Sequence, residues 1–190
     1  MADIKPEQIL GMASPEQVLG EAIMKEKDKR NWKRFILEVV GIMLAVLLIF
    51  NFLISVSTVS GVSMRPNFDN GDKIIAFRLA KNFKIGDVII FNARNGKELL
   101  KRVVATAGDT VDISPAGGLI VNGQPVQEPN IYEPTRITDR AVSFPQTVQK
   151  DCLFVMGDNR VNSIDSRTTQ VGQVEEKSVV GRVILVIRGI

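Results

Sequence analysis

The stretch that decides the fold class is ELLKRVVAT, residues 98–106. It is rich in β-branched side chains and lacks the three-to-four-residue apolar spacing of an amphipathic helix, so it predicts a β-strand. Similar runs, separated by Gly, Asp and Asn, are DKIIAF (72–77), GDVIIF (86–91), DTVDI (109–113), GLIVNGQPV (118–126), CLFVMGD (152–158) and SVVGRVILVI (178–187). The NG pair inside the fourth of these runs is typical of a two-residue hairpin turn. We therefore predict a mostly β domain, a folded-over antiparallel sheet or barrel-like structure, with a less regular insertion at about residues 110–150.

Upstream of these runs, residues 39–50 read VVGIMLAVLLIF and carry no polar side chain. With the following NFLIS they form an apolar segment of roughly 18 to 20 residues, long enough for a helix that crosses a bilayer. Lys and Arg cluster just before this segment, and the next cation after it is Arg65. Basic residues remain cytoplasmic, so the pattern predicts a cytosolic tail (1–34), a single transmembrane helix (35–57) and an extracytoplasmic catalytic domain (58–190) in the plasma membrane. Within the tail, PEQILGMA and PEQVLGEA form a short echo, and the second copy begins like a helix.

The composition excludes several kinds of chemistry. The 190-residue chain has no histidine and one cysteine, Cys152. Ser-His and Cys-His catalysis and nearly every zinc site are therefore ruled out, and we expect no metal and no cofactor. The net charge of +3 is small and forms no basic stripe, so nucleic acid is not an expected partner.

Ser63, in the stretch SGVSMRPNFDNGD (60–72), is the candidate nucleophile, and without histidine a lysine must take its proton. A free lysine is neutral in only about one molecule in 2,500 at pH 7, so the base must be desolvated on an apolar surface. Strand alternation places Lys101 on one face with Leu99 and Val103, and Arg102 on the opposite face, where it can pair with an acid. Lys73 is the rival base, although it lies at a turn beside an aspartate.

A second polar cluster, GDNRVNSIDSR (157–167), directly follows a strand. Such runs are common in turns. A buried lysine, however, needs acceptors for its N–H groups, and a hydroxyl can accept without holding the lysine charged as a carboxylate would. Ser163 and Ser166 are the candidate acceptors.

These three elements, in this order behind an apolar span, resemble the bacterial membrane-bound type I signal peptidases. The resemblance implies that Ser63 is the nucleophile and Lys101 the general base. It also implies that Ser163 bonds to the lysine and that Asp165 and Arg167 form an ion pair. Asp158 and Arg102 are further expected supporting residues.

The chain departs from the family pattern at two places. Some members carry a serine two residues before the nucleophile that completes the oxyanion hole, where this chain has Gly61. The hole would then rest on backbone N–H groups, those of Ser63 and Gly61. The family's Gly-Leu-Pro-Gly-Asp after the lysine is here ATAGD, residues 105–109.

The resemblance also implies a function, the removal of signal peptides from exported preproteins after an Ala-x-Ala type of site. The expected pocket is shallow and apolar, and its candidate residues are Val59, Met64, Phe68, Leu99 and Leu100. Secretory preproteins, membrane lipid and the protein-export machinery are the expected partners. Two alternatives stay open: a self-cleaving Ser-Lys repressor, disfavoured because a span replaces the DNA-binding helices, and an inactive membrane-anchored assembly factor for surface proteins.

Overall fold

The structure is a computed structural model, and it describes residues 15–129, 131, 133–137, 139 and 141–189. The chain divides into two compact units, Met1–Phe50 and Asn51–Ile190, which are described separately. The PEQILGMA copy of the echo and Ser14, the expected cap of the second copy, lie outside the described residues.

The first unit contains most of a single helix, α1 (Pro15–Leu53). Proline occupies its first position, where a missing N–H costs nothing. Within the described part of the chain, α1 is the one helix long and apolar enough to cross a membrane, with a mean hydropathy of 2.6 in its most apolar window. The predicted span, residues 35–57, ends later than the helix, because the β-branched residues after Leu53 pair with a neighbouring strand instead.

Most strands of the second unit form a seven-stranded antiparallel sheet with the strand order β1-β2-β11-β3-β4-β9-β10. These strands are β1 (Ile54–Thr58), β2 (Lys73–Phe77), β3 (Val88–Asn92), β4 (Glu98–Thr106), β9 (Cys152–Met156), β10 (Val174–Glu175) and β11 (Val179–Ile187). A short 3-10 helix, Glu176–Ser178, precedes β11. The prediction of a mostly β, antiparallel domain is confirmed. The described strands form open sheets and not a closed barrel.

A second, four-stranded sheet has the order β7-β6-β5-β8 and lies within the predicted insertion. It comprises β5 (Thr110–Ile113), β6 (Leu119–Val121), β7 (Gln124–Pro125) and β8 (Gln146–Thr147). Asn122 and Gly123 both have positive φ, 54° and 75°, as the predicted hairpin turn between β6 and β7 requires. The insertion is therefore more regular at its two ends than the sequence indicated.

The topology brings three distant segments together around strand β4. Ser63 lies in the loop between β1 and β2, and Lys101 lies on β4, opposite Ile89 of β3. The neighbouring strand β9 leads directly into the loop 157–167. Buried apolar side chains of these strands form continuous clusters beneath them, so the ends of β4 and β9 are firmly placed.

Candidate active site

The loop that carries Ser63 is closed by backbone hydrogen bonds at its base. The N–H of Val59 donates to the carbonyl of Asp72 at 2.8 Å, and the N–H of Gly71 donates to the carbonyl of Val59 at 2.9 Å. Gly61 has a φ of +95°, which favours glycine, and its N–H donates to Oδ1 of Asn70 at 2.9 Å. The loop thereby returns to the sheet with Ser63 near its centre.

Lys101 is the lysine that contacts Ser63. Its Nζ lies 2.8 Å from Ser63 Oγ and 2.9 Å from the carbonyl oxygen of Leu100. Only 3% of the Lys101 residue is exposed, as the alternation of the strand predicted. Lys73, the rival base, is exposed at the start of β2 and is not a partner of Ser63.

Burial lowers the pKa of Lys101 to about 8, with the charges of Asp165 and Asp158 opposing the shift and that of Arg167 supporting it. Desolvation is the largest of these effects because the charged ammonium loses its hydration. A lysine with this pKa is neutral in about one molecule in ten at pH 7. The side chain can therefore accept a proton at physiological pH, which an exposed lysine rarely can.

The loop 157–167 packs directly on the Ser63 loop. The N–H of Asn159 donates to the carbonyl of Ser63 at 3.0 Å, and the Asn159 side chain donates to the carbonyl of Val62 at 3.2 Å. Gly157 has no room for a side chain, since a Cβ there would lie 2.5 Å from the Ser63 carbonyl oxygen and 2.3 Å from Ser163 Oγ. Glycine is thus required for the close approach of the two loops.

Two ion pairs anchor this loop: the Asp165–Arg167 pair that the resemblance implied, and a pair between Arg102 and an acid that the sequence did not identify. Arg102 donates to both carboxylate oxygens of Asp158, from Nε at 2.7 Å and from Nη2 at 2.6 Å. Arg167 makes a similar pair with Asp165 at 2.8 Å from each donor, and both side chains are fully buried. Burial raises the pKa of Asp165, but the hydrogen bonds and charge of Arg167 outweigh burial and hold that pKa below its usual value. Both paired carboxylates are bound by arginines, so neither bonds to Lys101.

The expected hydrogen bond between Ser163 and Lys101 is not present. Ser163 Oγ is buried and has no hydrogen-bond partner within the described part of the chain. The lysine instead bonds to a backbone carbonyl of its own strand, an acceptor that strand alternation cannot reveal. Ser166, the other candidate, accepts from the N–H of Val155 at 3.0 Å and ties the loop to β9.

A cavity of about 120 Å³ opens beside Ser63 and Lys101. Of the predicted pocket residues, Val59, Met64, Leu99 and Leu100 line it. Phe68 does not line it, although it belongs to the same buried apolar cluster as Val59 and Met64. The lining also includes residues that were not predicted: Ser57, Thr58, Ser60, Ile74, Ile90 and Glu98. Ser57, Thr58, Ile74 and Ile90 come from β1, β2 and β3, so the pairing of strands brings them to the site, whereas Ser60 lies in the Ser63 loop and Glu98 begins β4.

The predicted oxyanion donors differ in availability. The Gly61 N–H is already donated to Asn70, so in this conformation it does not point to a substrate. Among the described residues the N–H of Ser63 has no acceptor, and it remains available beside Ser63 Oγ. The side chain of Asn67 donates to Asp158 at 2.8 Å, another contact that sequence reasoning missed.

The described residues contain no group of three or more Cys, Asp or Glu side chains placed to hold a metal ion. The chemistry that this arrangement can perform is that of a serine hydroxyl and a buried lysine. A base within hydrogen-bonding distance of a hydroxyl in an apolar cleft is the arrangement that activates a nucleophile.

Comparisons with known proteins identify the family. A family profile described as "Signal peptidase, peptidase S26" matches residues 32–188. Signal peptidase I P of Bacillus subtilis subsp. natto is 33% identical over 171 residues, which are 83% of this chain and 91% of the relative. Signal peptidase I of Bacillus amyloliquefaciens is 34% identical over 173 residues, covering 82% of this chain and 90% of that relative.

Among solved structures, a signal peptidase I from Enterococcus faecalis V583 aligns with a TM-score of 0.47 and 32% sequence identity. The alignment covers 55% of this chain and 98% of that chain. The family profile matches far more than half of the chain, from the apolar helix to the last strand, and so includes all three segments of the site. The chain therefore belongs to the signal peptidase family, peptidase S26, and is a serine endopeptidase of the signal peptidase I type.

Proposed function

We propose that the chain removes signal peptides from secretory preproteins with Ser63 as nucleophile and Lys101 as general base. The observation that carries this proposal is the 2.8 Å contact between Lys101 Nζ and Ser63 Oγ, with the lysine buried and its pKa lowered to about 8. A neutral amine at hydrogen-bonding distance is what a serine hydroxyl needs in order to attack a carbonyl.

The reaction proceeds in two halves. Neutral Lys101 takes the proton of Ser63 as its Oγ attacks the carbonyl carbon at the cleavage site. The resulting ammonium gives that proton to the leaving amine, and the C–N bond breaks to leave an ester on Ser63. Lys101, again neutral, then takes a proton from water as the water oxygen attacks the ester carbon. The C–O bond to Ser63 breaks, Lys101 returns the proton to Ser63 Oγ, and the product leaves as a carboxylic acid that ionises in water.

Two neighbouring groups support the charges that form during this reaction. The free N–H of Ser63 lies beside the attacking oxygen and would donate to the developing oxyanion, a type of contact worth about 3 kcal/mol in other serine hydrolases. The unpartnered hydroxyl of Ser163 would accept from the Lys101 ammonium once that ammonium forms. Leu100 and Ser63 already accept from the lysine, so Ser163 would complete its set of three acceptors.

The cavity beside Ser63 has a volume of about 120 Å³, and Val59, Met64 and Leu100 form part of its wall. Its apolar wall suits an uncharged, apolar side chain next to the cleavage site. Preproteins with an Ala-x-Ala type of site, whose alanine side chains are apolar, are the proposed substrates.

Anchoring in the plasma membrane is supported by two features. The cations in the first half of α1, before the apolar segment that begins at Val39, and the lack of cations from there to Arg65 favour a cytoplasmic N-terminus and an extracytoplasmic sheet domain. In addition, Val56, Ile75 and Leu185 lie side by side across β1, β2 and β11, and two of them are more than half exposed. An apolar strip of this kind is suited to contact with lipid. A substrate held in the same bilayer would meet the enzyme at a raised effective concentration.

The test is cleavage of a preprotein with an Ala-x-Ala site by the full-length protein in detergent micelles or lipid vesicles. Ser63→Ala and Lys101→Ala are expected to abolish cleavage. Lys73→Ala is the matched control and should cleave as wild type does, because Lys73 is exposed and away from Ser63.

The outcomes separate the alternatives. If wild type leaves several preproteins intact, the peptidase proposal fails and the assembly-factor alternative takes its place. If Lys101→Ala retains cleavage while Lys73→Ala loses it, the assignment of the base is wrong.

A further inference from the structure

The described residues between Val126 and Asp139 have little regular structure, and some of them are joined by polar contacts to the loop that carries Ser163 and Asp165. These contacts begin with Glu128, which is paired with Arg160. They continue with the backbone carbonyl of Arg136, which accepts from Arg167 at 3.0 Å. They end with Asp139, whose carboxylate accepts from the backbone N–H and the hydroxyl of Thr169 at 2.9 and 2.7 Å. The segment is thus joined to the loop at Arg160 and Arg167, and to Thr169 just after the loop.

Arg160 is the centre of this junction. Its side chain is 1% exposed, although a guanidinium is costly to bury without partners. It donates from Nε to the carbonyl of Gly157 at 3.0 Å, from Nη1 to Thr135 Oγ1 at 2.5 Å, and from both Nη atoms to the carboxylate of Glu128. Its only charged partner among the described residues is therefore Glu128, which is itself 12% exposed.

The hydrogen bond from Arg160 Nε to the Gly157 carbonyl links Arg160 to the part of the loop that packs on Ser63. Gly157 is the residue whose missing Cβ allows the loop to approach the carbonyl of Ser63. Two residues later, Asn159 donates its N–H to that same carbonyl. A shift of Arg160 would consequently move the loop against the Ser63 backbone.

We propose that Glu128 is a positioning residue for the Ser63–Lys101 pair, acting through Arg160 and the loop 157–167. This inference rests on the proposed function, because it assigns to the insertion the task of holding the peptidase site in its reactive geometry. Glu128 touches neither Ser63 nor Lys101. Its effect comes from the charge and the two acceptor oxygens that it supplies to a buried guanidinium.

The titration of Lys101 depends on whether the loop 157–167 is in place. The charged groups that act on it, Asp158, Asp165 and Arg167, all belong to this loop, and Glu98 lines the same cavity. Loosening the loop admits water to the cleft and relieves the desolvation of the ammonium, which is the largest effect on this lysine. The Lys101 titration should then move to higher pH. A loss of global stability alone would not produce this change in the folded molecules.

The experiment measures the pH dependence of Lys101 acylation by acetic anhydride, with peptide mass spectrometry as the readout, in the full-length protein in detergent. This readout follows the amine itself and needs no peptidase activity. Glu128→Gln should move the labelling midpoint upward by about half a pH unit or more. It should also lower kcat for preprotein cleavage about tenfold with little change in KM, as expected when reacting groups are misplaced.

Glu133→Gln is the matched control, because it removes the same charge from an exposed position of the same segment. It should leave both the midpoint and kcat as in wild type. Glu128→Asp, which keeps the carboxylate, should restore the wild-type midpoint. If Glu128→Gln does not yield folded protein, Thr135→Val removes the neighbouring acceptor of Arg160 and should move the midpoint in the same direction.

Equal midpoints in Glu128→Gln and Glu133→Gln, whether shifted or not, would overturn the inference. Where Glu128→Gln does not fold, an unchanged midpoint in a folded Thr135→Val would overturn it instead. If the Glu128→Gln midpoint moves but wild type cleaves no preprotein, the positioning role is supported and the proposed function fails. The two proposals are therefore tested independently.

Discussion

Replacing Lys101 by methionine should stabilise the protein at neutral pH while abolishing its activity. The buried lysine has a pKa of about 8 in place of 10.5, and each pKa unit corresponds to about 1.4 kcal/mol. The charged side chain thus lowers the free energy of unfolding at pH 7 by about 3 kcal/mol relative to an exposed lysine. Methionine has a similar length and no charge, so Lys101→Met removes this penalty.

The same substitution also removes two hydrogen bonds, those to Ser63 Oγ and the Leu100 carbonyl. Each contributes about 1 kcal/mol. The net gain at pH 7 is then about 1 to 2 kcal/mol, which corresponds to a rise in Tm of about 2 to 8 °C for a protein of this size.

The sign of the effect depends on pH. The folded-state pKa lies below the unfolded one, so the penalty is fully present below about pH 8 and disappears as the pH rises through about 10.5. At pH 10 most of the penalty is gone, while the two hydrogen bonds are still lost in the variant. Lys101→Met should then be less stable than wild type by about 1 kcal/mol.

Thermal unfolding of the full-length protein in detergent, followed by circular dichroism at pH 7 and pH 10, measures both differences. Lys73→Met, at the exposed start of β2, is the control and should change Tm little at either pH. A Lys101→Met variant that is destabilised by the same amount at pH 7 and pH 10 would show that the buried lysine titrates normally. The account of how Ser63 is activated would then be wrong.

Three further predictions concern the same site. The value of kcat/KM should rise about tenfold per pH unit below about pH 8 and level off above it, since only neutral Lys101 can act as a base. A profile of initial rates that does not change with pH would contradict this prediction. Gly157→Ala should reduce kcat by roughly 100-fold or more, because the added Cβ would collide with Ser163 and separate the loop 157–167 from the Ser63 loop. Initial rates equal to those of wild type would contradict the close packing of these loops. Asp158→Asn should lower the free energy of unfolding by about 3 to 5 kcal/mol in denaturant titrations, because it breaks the buried ion pair with Arg102. Asp69→Asn, in an exposed ion pair, should lower it by less than about 1 kcal/mol. Equal losses in the two variants would refute the structural importance of the Arg102–Asp158 pair.

Some features could be predicted from local sequence because their causes are local. The β-branched runs and the Asn-Gly turn follow from backbone preferences, and the apolar helix follows from its composition. The absence of histidine made lysine the expected base, and alternation along β4 distinguished Lys101 from Lys73. The partner of Arg102 was expected to be an acid, although sequence alone did not identify Asp158.

Other features depended on segments that are far apart in the chain. Phe68 was an expected pocket residue, yet it packs into the core beneath its loop. Ile74 and Ile90 reach the cavity only because β2 and β3 lie near β4. The end of α1 at Leu53 is decided by the pairing of the next residues with β2, since those residues are apolar enough to continue the helix.

The sequence by itself thus determined the strands, the apolar helix and the chemical types available to the site, because each follows from residue identity and near neighbours. Only the tertiary structure decided which groups meet. The pKa of Lys101 depends on its burial at the junction of three segments. Ser163 has no hydrogen-bond partner among the described residues, because Lys101 bonds to the Leu100 carbonyl and not to Ser163. Arg160 and Glu128 lie 32 positions apart yet share a buried ion pair, and spacing along the chain contains no information about such a contact.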